Sequence, residues 1–126
     1  MGSVLLRQLV QQGQEAVGTV SPSGPRPEGL PTEAIDLLDP AAVAQLMGRL
    51  APQRLVHAAA FTHVANAHRE PTRAERVNVE ITGTLAALAA RHGSRFVLLS
   101  TDMVFDGEAA PYGEAVSYTH LEPTRP

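Results

Sequence analysis

The stretch Leu98–Gly107, "LLSTDMVFDG", ends an apolar run abruptly at three small polar residues, Ser100, Thr101 and Asp102, and then turns at Asp106-Gly107. The run begins upstream at "RFVLLS", continuously apolar as a strand buried on both faces of a parallel sheet should be. A strand of that kind needs helices on both sides and other strands beside it, and the preceding sequence supplies them. Pro71 to His92 reads as a long helix carrying Val77, Ile81, Leu85 and Leu88 at helical spacing and closed by Gly93. Before it, "RLVHAAAF" reads as a strand, and before that "PAAVAQLMGRLAP" reads as a helix with Val43, Leu46, Met47 and Leu50 on its inner face. Asp39-Pro40 gives that helix an N-cap followed by proline at the first helical position.

Towards the amino end, "AIDLLD" allows a short strand ending near Asp36, and "SPSGPRPEGLP" is dense in Pro and Gly and must be a loop. "EAVGTV" is a short β-branched run, read as a strand. "GSVLLRQLVQQG" places Val4, Leu5, Leu6 and Leu9 on one helical face, with Gly13 as the stop. Strand, helix, strand, helix, strand with short connections predicts an α/β fold: a Rossmann-like, doubly wound parallel sheet with right-handed crossovers. In such sheets ligands bind beyond the carboxyl ends of the strands.

The composition narrows the chemistry. With 126 residues the chain is at most one domain, and with 44% hydrophobic but only 4% aromatic residues its core must be aliphatic. All ten basic residues are arginine, so any mechanism that needs an amine is excluded from this polypeptide. The absence of cysteine removes disulfides, thiolate chemistry and Cys-ligated zinc, and fits a reducing, cytoplasmic setting. A formal charge of −3 gives no support for nucleic acid or an anionic membrane as partner, and no apolar run approaches the ~20 residues of a membrane span. His57, His63 and His68 lie near one another but set no metal geometry, so they read as polar loop histidines. Arg69, Arg73 and Arg76, with Glu70 and Glu75 beside them, read as a solvated helix face.

Two strand ends remain as candidate chemistry. Ala58-Ala59-Ala60 leaves backbone and space where a dinucleotide could pass, although alanine is equally common in buried strands. Ser100-Thr101-Asp102 places a hydroxyl where it could hydrogen-bond a substrate carbonyl gaining negative charge; the same three residues also make an ordinary Ser/Thr turn with a capping Asp.

Together, "DLLDP", "HAAAFT", "VNVEITGT" and "STDMVFDG" resemble the dTDP-4-dehydrorhamnose reductase family, a branch of the extended short-chain dehydrogenase/reductases, over roughly residues 2 to 114. The resemblance implies an NAD(P)H-dependent reductase of a 4-keto nucleotide sugar. It implies Thr101 as the catalytic hydroxyl residue of a Ser/Thr-Tyr-Lys set, and Asp102 and Met103 lining the sugar site. It implies Asp36 and Leu37 beside the adenine, Ala58, Ala59, Ala60, Phe61 and Thr62 passing the cofactor, and Leu99 on the nicotinamide side. Asn78 matches a recurrent asparagine of the long helix. Met103 stands for the usual Tyr, His57 for the usual Asn, and Ala65 and His68 where acidic residues are typical, which bears on the sugar more than on the reductase class. Ser21-Pro22-Ser23 with Arg26 nearby, and no acid, after the first strand leans towards NADP over NAD. A nucleotide sugar is the implied partner, and the parent admits a homodimer.

Both ends depart from the family pattern. The family's opening strand and Gly-x-x-Gly-x-x-Gly turn are reduced to Gly2, which can be only the last of those glycines. The missing strand is the central one, so an unstable sheet with unpaired edges is expected. Tyr112 is followed four residues on by Val116, and Tyr118 by Glu122, so neither makes Tyr-x-x-x-Lys. Val116–Leu121 is the peptide that the codons of a transposon mosaic end used in sequencing libraries would encode. Residues 1–115 are therefore read as a partial NAD(P)-binding domain, and Val116–Pro126 as a read-through scar. Two other functions stay open: a non-catalytic NADP-binding subunit resembling the regulatory subunit of methionine adenosyltransferase, and an epimerase or dehydratase of the same superfamily.

Overall fold

A computed structural model describes residues 1–61, 68–101 and 112–113. The elements run α1 (Gly2–Gln11), β1 (Gly18–Val20), β2 (Thr32–Ala34), α2 (Pro40–Leu50), β3 (Arg54–His57), α3 (Pro71–Glu75), a π-helical turn (Arg76–Glu80), α4 (Ile81–His92) and β4 (Arg95–Leu98). The mixed α/β class and the parallel pairing are as read from the sequence. β1 pairs parallel with β2, Thr19 opposite Glu33, and β3 pairs parallel with β4, Leu55 opposite Phe96.

The helices start and stop for local reasons. Asp39 caps α2 by accepting hydrogen bonds from the backbone N–H groups of Ala41 (3.0 Å) and Ala42 (3.1 Å), with Pro40 behind it. An Asp39→Ala change is expected to cost about 1 kcal/mol, measured as a lower urea midpoint with unchanged slope. At the other end of the core, Gly93 takes a left-handed conformation (φ 68°) that closes α4 without the steric penalty of a Cβ.

One aliphatic core sits between α2, α4 and the inner face of β3–β4. Ile35, Val43, Met47, Ile81, Leu85 and Leu88 are buried in it, and Leu55, Phe96 and Val77 pack against its margin. α1 seats separately on β1, where Gly18 makes room: a Cβ there would lie 2.7 Å from Leu6 Cδ2. Arg49 on α2 forms a two-pronged ion pair with Glu33 on β2, one arm at 3.0 Å. That pairing lowers the pKa of the Glu33 carboxyl and raises that of the Arg49 guanidinium, but Arg49 is exposed and Glu33 only half-buried, so water screens the pair and its contribution to stability is small.

Four sequence expectations are corrected. The second strand does end near Asp36 but starts earlier than "AIDLLD": pairing covers Thr32–Ala34 and the last ladder bond is Ile35 N–H to the Val20 carbonyl. On α1, Val4 is 60% exposed and Leu6 is the buried residue, because the helix meets only β1 and so buries a narrow stripe. The long helix is not uniform, since a π turn interrupts it at Arg76–Glu80. β4 is not buried on both faces: Val97 is 38% and Leu98 47% exposed, and Val56 beside them on β3 is 37% exposed. The physical reason is the topology. The four strands form two separate two-stranded sheets, β1–β2 and β3–β4, with no pairing between β1 and β3. Among the described residues the unpaired edges expected from the sequence are therefore present, with apolar side chains beside them.

Candidate functional site at the strand ends

β3 and β4 run in parallel, so their carboxyl ends lie side by side. The Leu99 N–H donates to the His57 carbonyl (3.0 Å), which extends the ladder one step past β4 and sets the start of "LSTD" against the start of "AAAF". Ala58 is half-buried, Ala59, Ala60, Ser100 and Thr101 are exposed, and Leu99 is 37% exposed. Gly2, the first residue of the ten-residue helix α1, comes in beside them: a Cβ on Gly2 would sit 3.8 Å from Ala58 Cβ. The structure thus brings Gly2, Ala58, Ala59, Ala60, Leu99 and Thr101 to one region.

Such a region suits a dinucleotide in three respects. Alanines and glycine leave the backbone accessible, the amino end of α1 carries the positive pole of its dipole, and its first turn has no acidic residue to repel phosphate. Asp36 and Leu37 lie at the carboxyl end of the other sheet. Asp36 is exposed and turns its carboxylate on its own backbone, accepting from the Leu38 N–H (2.9 Å), while Leu37 packs against the core. Beyond β1, Ser21 to Gly24 close a tight turn (Gly24 N–H to the Ser21 carbonyl, 2.9 Å) without an acidic side chain. Thr62, Asp102 and Met103 lie outside the described residues, as do His63 and Ala65.

Phe61 is held from the long helix. Its N–H donates to Asn78 Oδ1 (2.8 Å), its carbonyl accepts from Asn78 Nδ2 (3.3 Å), and the Arg73 guanidinium lies over its ring, 5.8 Å from the centroid. The sequence pointed to Asn78 only through resemblance, and it read Arg73 as one of a solvated row. Arg73 does pair with Glu70 (3.1 Å), but it also covers Phe61. The signal that could have found the clamp is a carboxamide early in the helix that follows a strand-end loop.

His57 is not a loop histidine. It is the last residue of β3, 4% exposed, and stacks on Phe96 at 6.5 Å. Burial pushes its imidazole below the ordinary 6.5. Because the folded chain holds His57 neutral while the unfolded chain binds a proton more readily, stability is full above about pH 6.5 and falls as the pH drops below it. Urea midpoints are expected to decline in that window for the wild-type chain, and His57→Asn should remove this residue's share of the slope.

A recess of about 180 Å³ lies elsewhere, between β2 and α2, lined among others by Glu33, Ile35, Gln45 and Arg49, and none of the strand-end residues borders it. Among the described residues there is no cluster of potential metal ligands, and no helix long and apolar enough to cross a membrane.

The fold has known relatives. A dTDP-4-dehydrorhamnose reductase from Burkholderia thailandensis is 41% identical over 86 residues, covering 68% of this chain and 29% of its own length. The methionine adenosyltransferase 2 subunit beta of Rattus norvegicus is 33% identical over 114 residues, covering 90% of this chain and 33% of its own. The crystal structure of a hypothetical dTDP-4-dehydrorhamnose reductase from Sulfolobus tokodaii superposes with a TM-score of 0.78 at 27% identity, covering 90% of this chain and 40% of that one. Other proteins of this fold were crystallised with NAD, and one with UDP-glucose. The chain spans only 25% to 38% of the curated relatives it matches. The model of the RmlD substrate binding domain matches residues 1–126, and the chain belongs to that family.

Proposed function

We propose that this chain is the cofactor-binding portion of an NADPH-dependent reductase of a 4-keto nucleotide sugar. The observation that carries the reading is the juxtaposition of Gly2, the alanine segment after β3 and Thr101 after β4 at one set of strand ends. The fit to a dinucleotide rests on that open backbone, with Gly2 and the α1 amino end for the pyrophosphate, Asp36 and Leu37 towards the adenine, and Ala58–Thr62 and Leu99 along the nicotinamide half. The acid-free turn after β1 favours NADP. NADPH, when bound, supplies the hydride. Thr101 donates a hydrogen bond to the keto oxygen as charge develops there, and Asp102 and Met103 border the sugar. The proton comes from a Tyr of a Tyr-x-x-x-Lys set, which these 126 residues do not contain. We accordingly read residues 1–115 as part of a longer domain and Val116–Pro126 as foreign to it, and we expect the 126-residue chain alone to oxidise no NADPH.

The test is the reading frame at the source locus, cloned and expressed whole. A frame that continues into Tyr-x-x-x-Lys, and a product that oxidises NADPH with a 4-keto nucleotide sugar, support the proposal. A stop after Pro126, or NADPH turnover by the 126-residue chain, overturns it. A second reading, a non-catalytic subunit of a methionine adenosyltransferase, is supported by the similarity to that subunit over 114 residues. Capture of such a synthetase by the tagged full-length protein, without NADPH oxidation, would decide for it.

A further inference from the structure

We propose that the outer edge of β2, with the recess between β2 and α2, is an interface with a second copy of this chain, the two β2 strands pairing antiparallel about a two-fold axis at Glu33. Among the described residues β2 is bonded along one side only, to β1. The Gly18 N–H donates to the Pro31 carbonyl and the Ile35 N–H to the Val20 carbonyl, each at 2.9 Å. Pro31 and Ile35 therefore face β1, as does Glu33 between them. By the alternation of a strand, Thr32 and Ala34 turn their N–H and C=O groups outward. A strand supplied between β1 and β3 would leave this edge outermost, so it stays open in a completed sheet.

The edge comes with a shaped wall. Ala42, Gln45, Leu46 and Arg49, which share one face of α2, line the recess on one side, and Ala34 and Ile35 line it on the other. Its volume of about 180 Å³ is below the roughly 300–1,000 Å³ of small-molecule sites, so it suits protruding side chains and not a cofactor. The charges select the occupant. The rim carries one acid and one base, Glu33 and Arg49, paired with each other. A peptide rich in either sign would meet its like there, whereas a patch holding both signs is complementary to itself, as an isologous two-fold contact requires. With each Glu33 opposite its counterpart, Thr32 of one copy lies against Ala34 of the other, and each such pair exchanges both backbone hydrogen bonds. The two facing carboxylates repel, but each brings its own guanidinium. The Arg49 side chain is 59% exposed, so it can turn from its own Glu33 to the opposite one.

This interface does not depend on the cofactor reading, and its test uses no cofactor. The protein expressed from the whole reading frame would be followed by sedimentation over a concentration series, as wild type, Ala34→Pro, Arg49→Glu and the double reversal Glu33→Arg with Arg49→Glu. Circular dichroism would check that each variant folds. Wild type is expected to pass from monomer to dimer as concentration rises. Ala34→Pro removes an outward N–H from each copy and leaves the ladder with β1 intact. The dimer dissociation constant should rise about thirtyfold, the equivalent of two backbone hydrogen bonds. Arg49→Glu sets only acids on the axis and should remain monomeric, while the double reversal restores one acid and one base and should dimerise again. If Ala34→Pro fails to fold, the charge variants decide alone. A wild type that stays monomeric up to its solubility, whether or not a foreign extended peptide binds this edge, overturns the proposal. So does a dimer that every folded variant keeps, or a double reversal that folds but does not regain the association.

Discussion

The 126-residue chain is expected to show no cooperative thermal unfolding transition well above room temperature, and to gain one when a strand is supplied between β1 and β3. Val56, Val97, Leu98 and Leu99 are 37% to 47% exposed around the open edges of the β3–β4 pair. Burying a large aliphatic side chain fully is worth about 1.5–3 kcal/mol, so completing the burial of these four amounts to roughly 3 kcal/mol. Unfolding free energies of whole domains are only about 5–15 kcal/mol, which makes that deficit large. Two ladder edges without a partner among the described residues add to it, and such edges offer a template for association between chains. The place proposed for that strand follows from one contact. Gly2 begins α1 beside Ala58, just past the carboxyl end of β3, so a strand running parallel to β3 would end at that point and lead into α1. An apolar, β-branched segment of about six residues, joined ahead of Met1 through a short turn, should raise the midpoint by about 10 °C or more. Calorimetry on both chains checks this. A sharp, high transition in the unextended chain would show that β1 and β3 need no shared neighbour.

The second large effect is chemical. If the full-length protein is the proposed reductase, Thr101→Ala should lower kcat for NADPH-dependent reduction about 10²–10³-fold, the usual consequence of removing one hydrogen-bond donor aimed at developing oxyanion charge. KM should change little, because the hydroxyl matters most when charge has moved onto the oxygen. Thr101→Ser, which keeps the hydroxyl, should retain most of the rate. Equal losses in both variants would point to a packing role for the threonine methyl. An unchanged rate in Thr101→Ala would remove Thr101 from the reaction.

Much of the fold was legible because the local signals agree with one another. Asp39-Pro40 announced α2, Gly93 ended α4, and the helical spacing of Ile81, Leu85 and Leu88 gave the face that meets Val43 and Met47. The misreadings share a cause: apolar pattern reports what a segment can bury, not what covers it. "RFVLLS" has the composition of a strand enclosed on both sides, yet Val97 and Leu98 remain exposed because neither unpaired edge of β3–β4 nor its second face has a partner among the described residues. His57 was misread for the converse reason, since one polar residue at the end of a short strand gives no period by which to judge its burial.

The candidate site was partly legible. Thr101 and the alanines were singled out from residue type and strand-end position and Gly2 through a family resemblance, and the backbone sets Gly2 beside Ala58 and Leu99 beside His57. The Asn78–Phe61 pairing was not legible, because it spans 17 residues and depends on a π turn that the helical period conceals.

The central claim is hydride transfer to a keto sugar at these strand ends, and its most direct measurement is the fate of an isotope. The protein encoded by the full reading frame would be incubated with deuterium-labelled NADPH and a 4-keto nucleotide sugar, and the product examined by mass spectrometry and NMR. Label at the new carbinol carbon, one per NADPH consumed and sharply reduced in Thr101→Ala, is the result expected of a reductase. An unlabelled sugar with no net consumption of NADPH would contradict it.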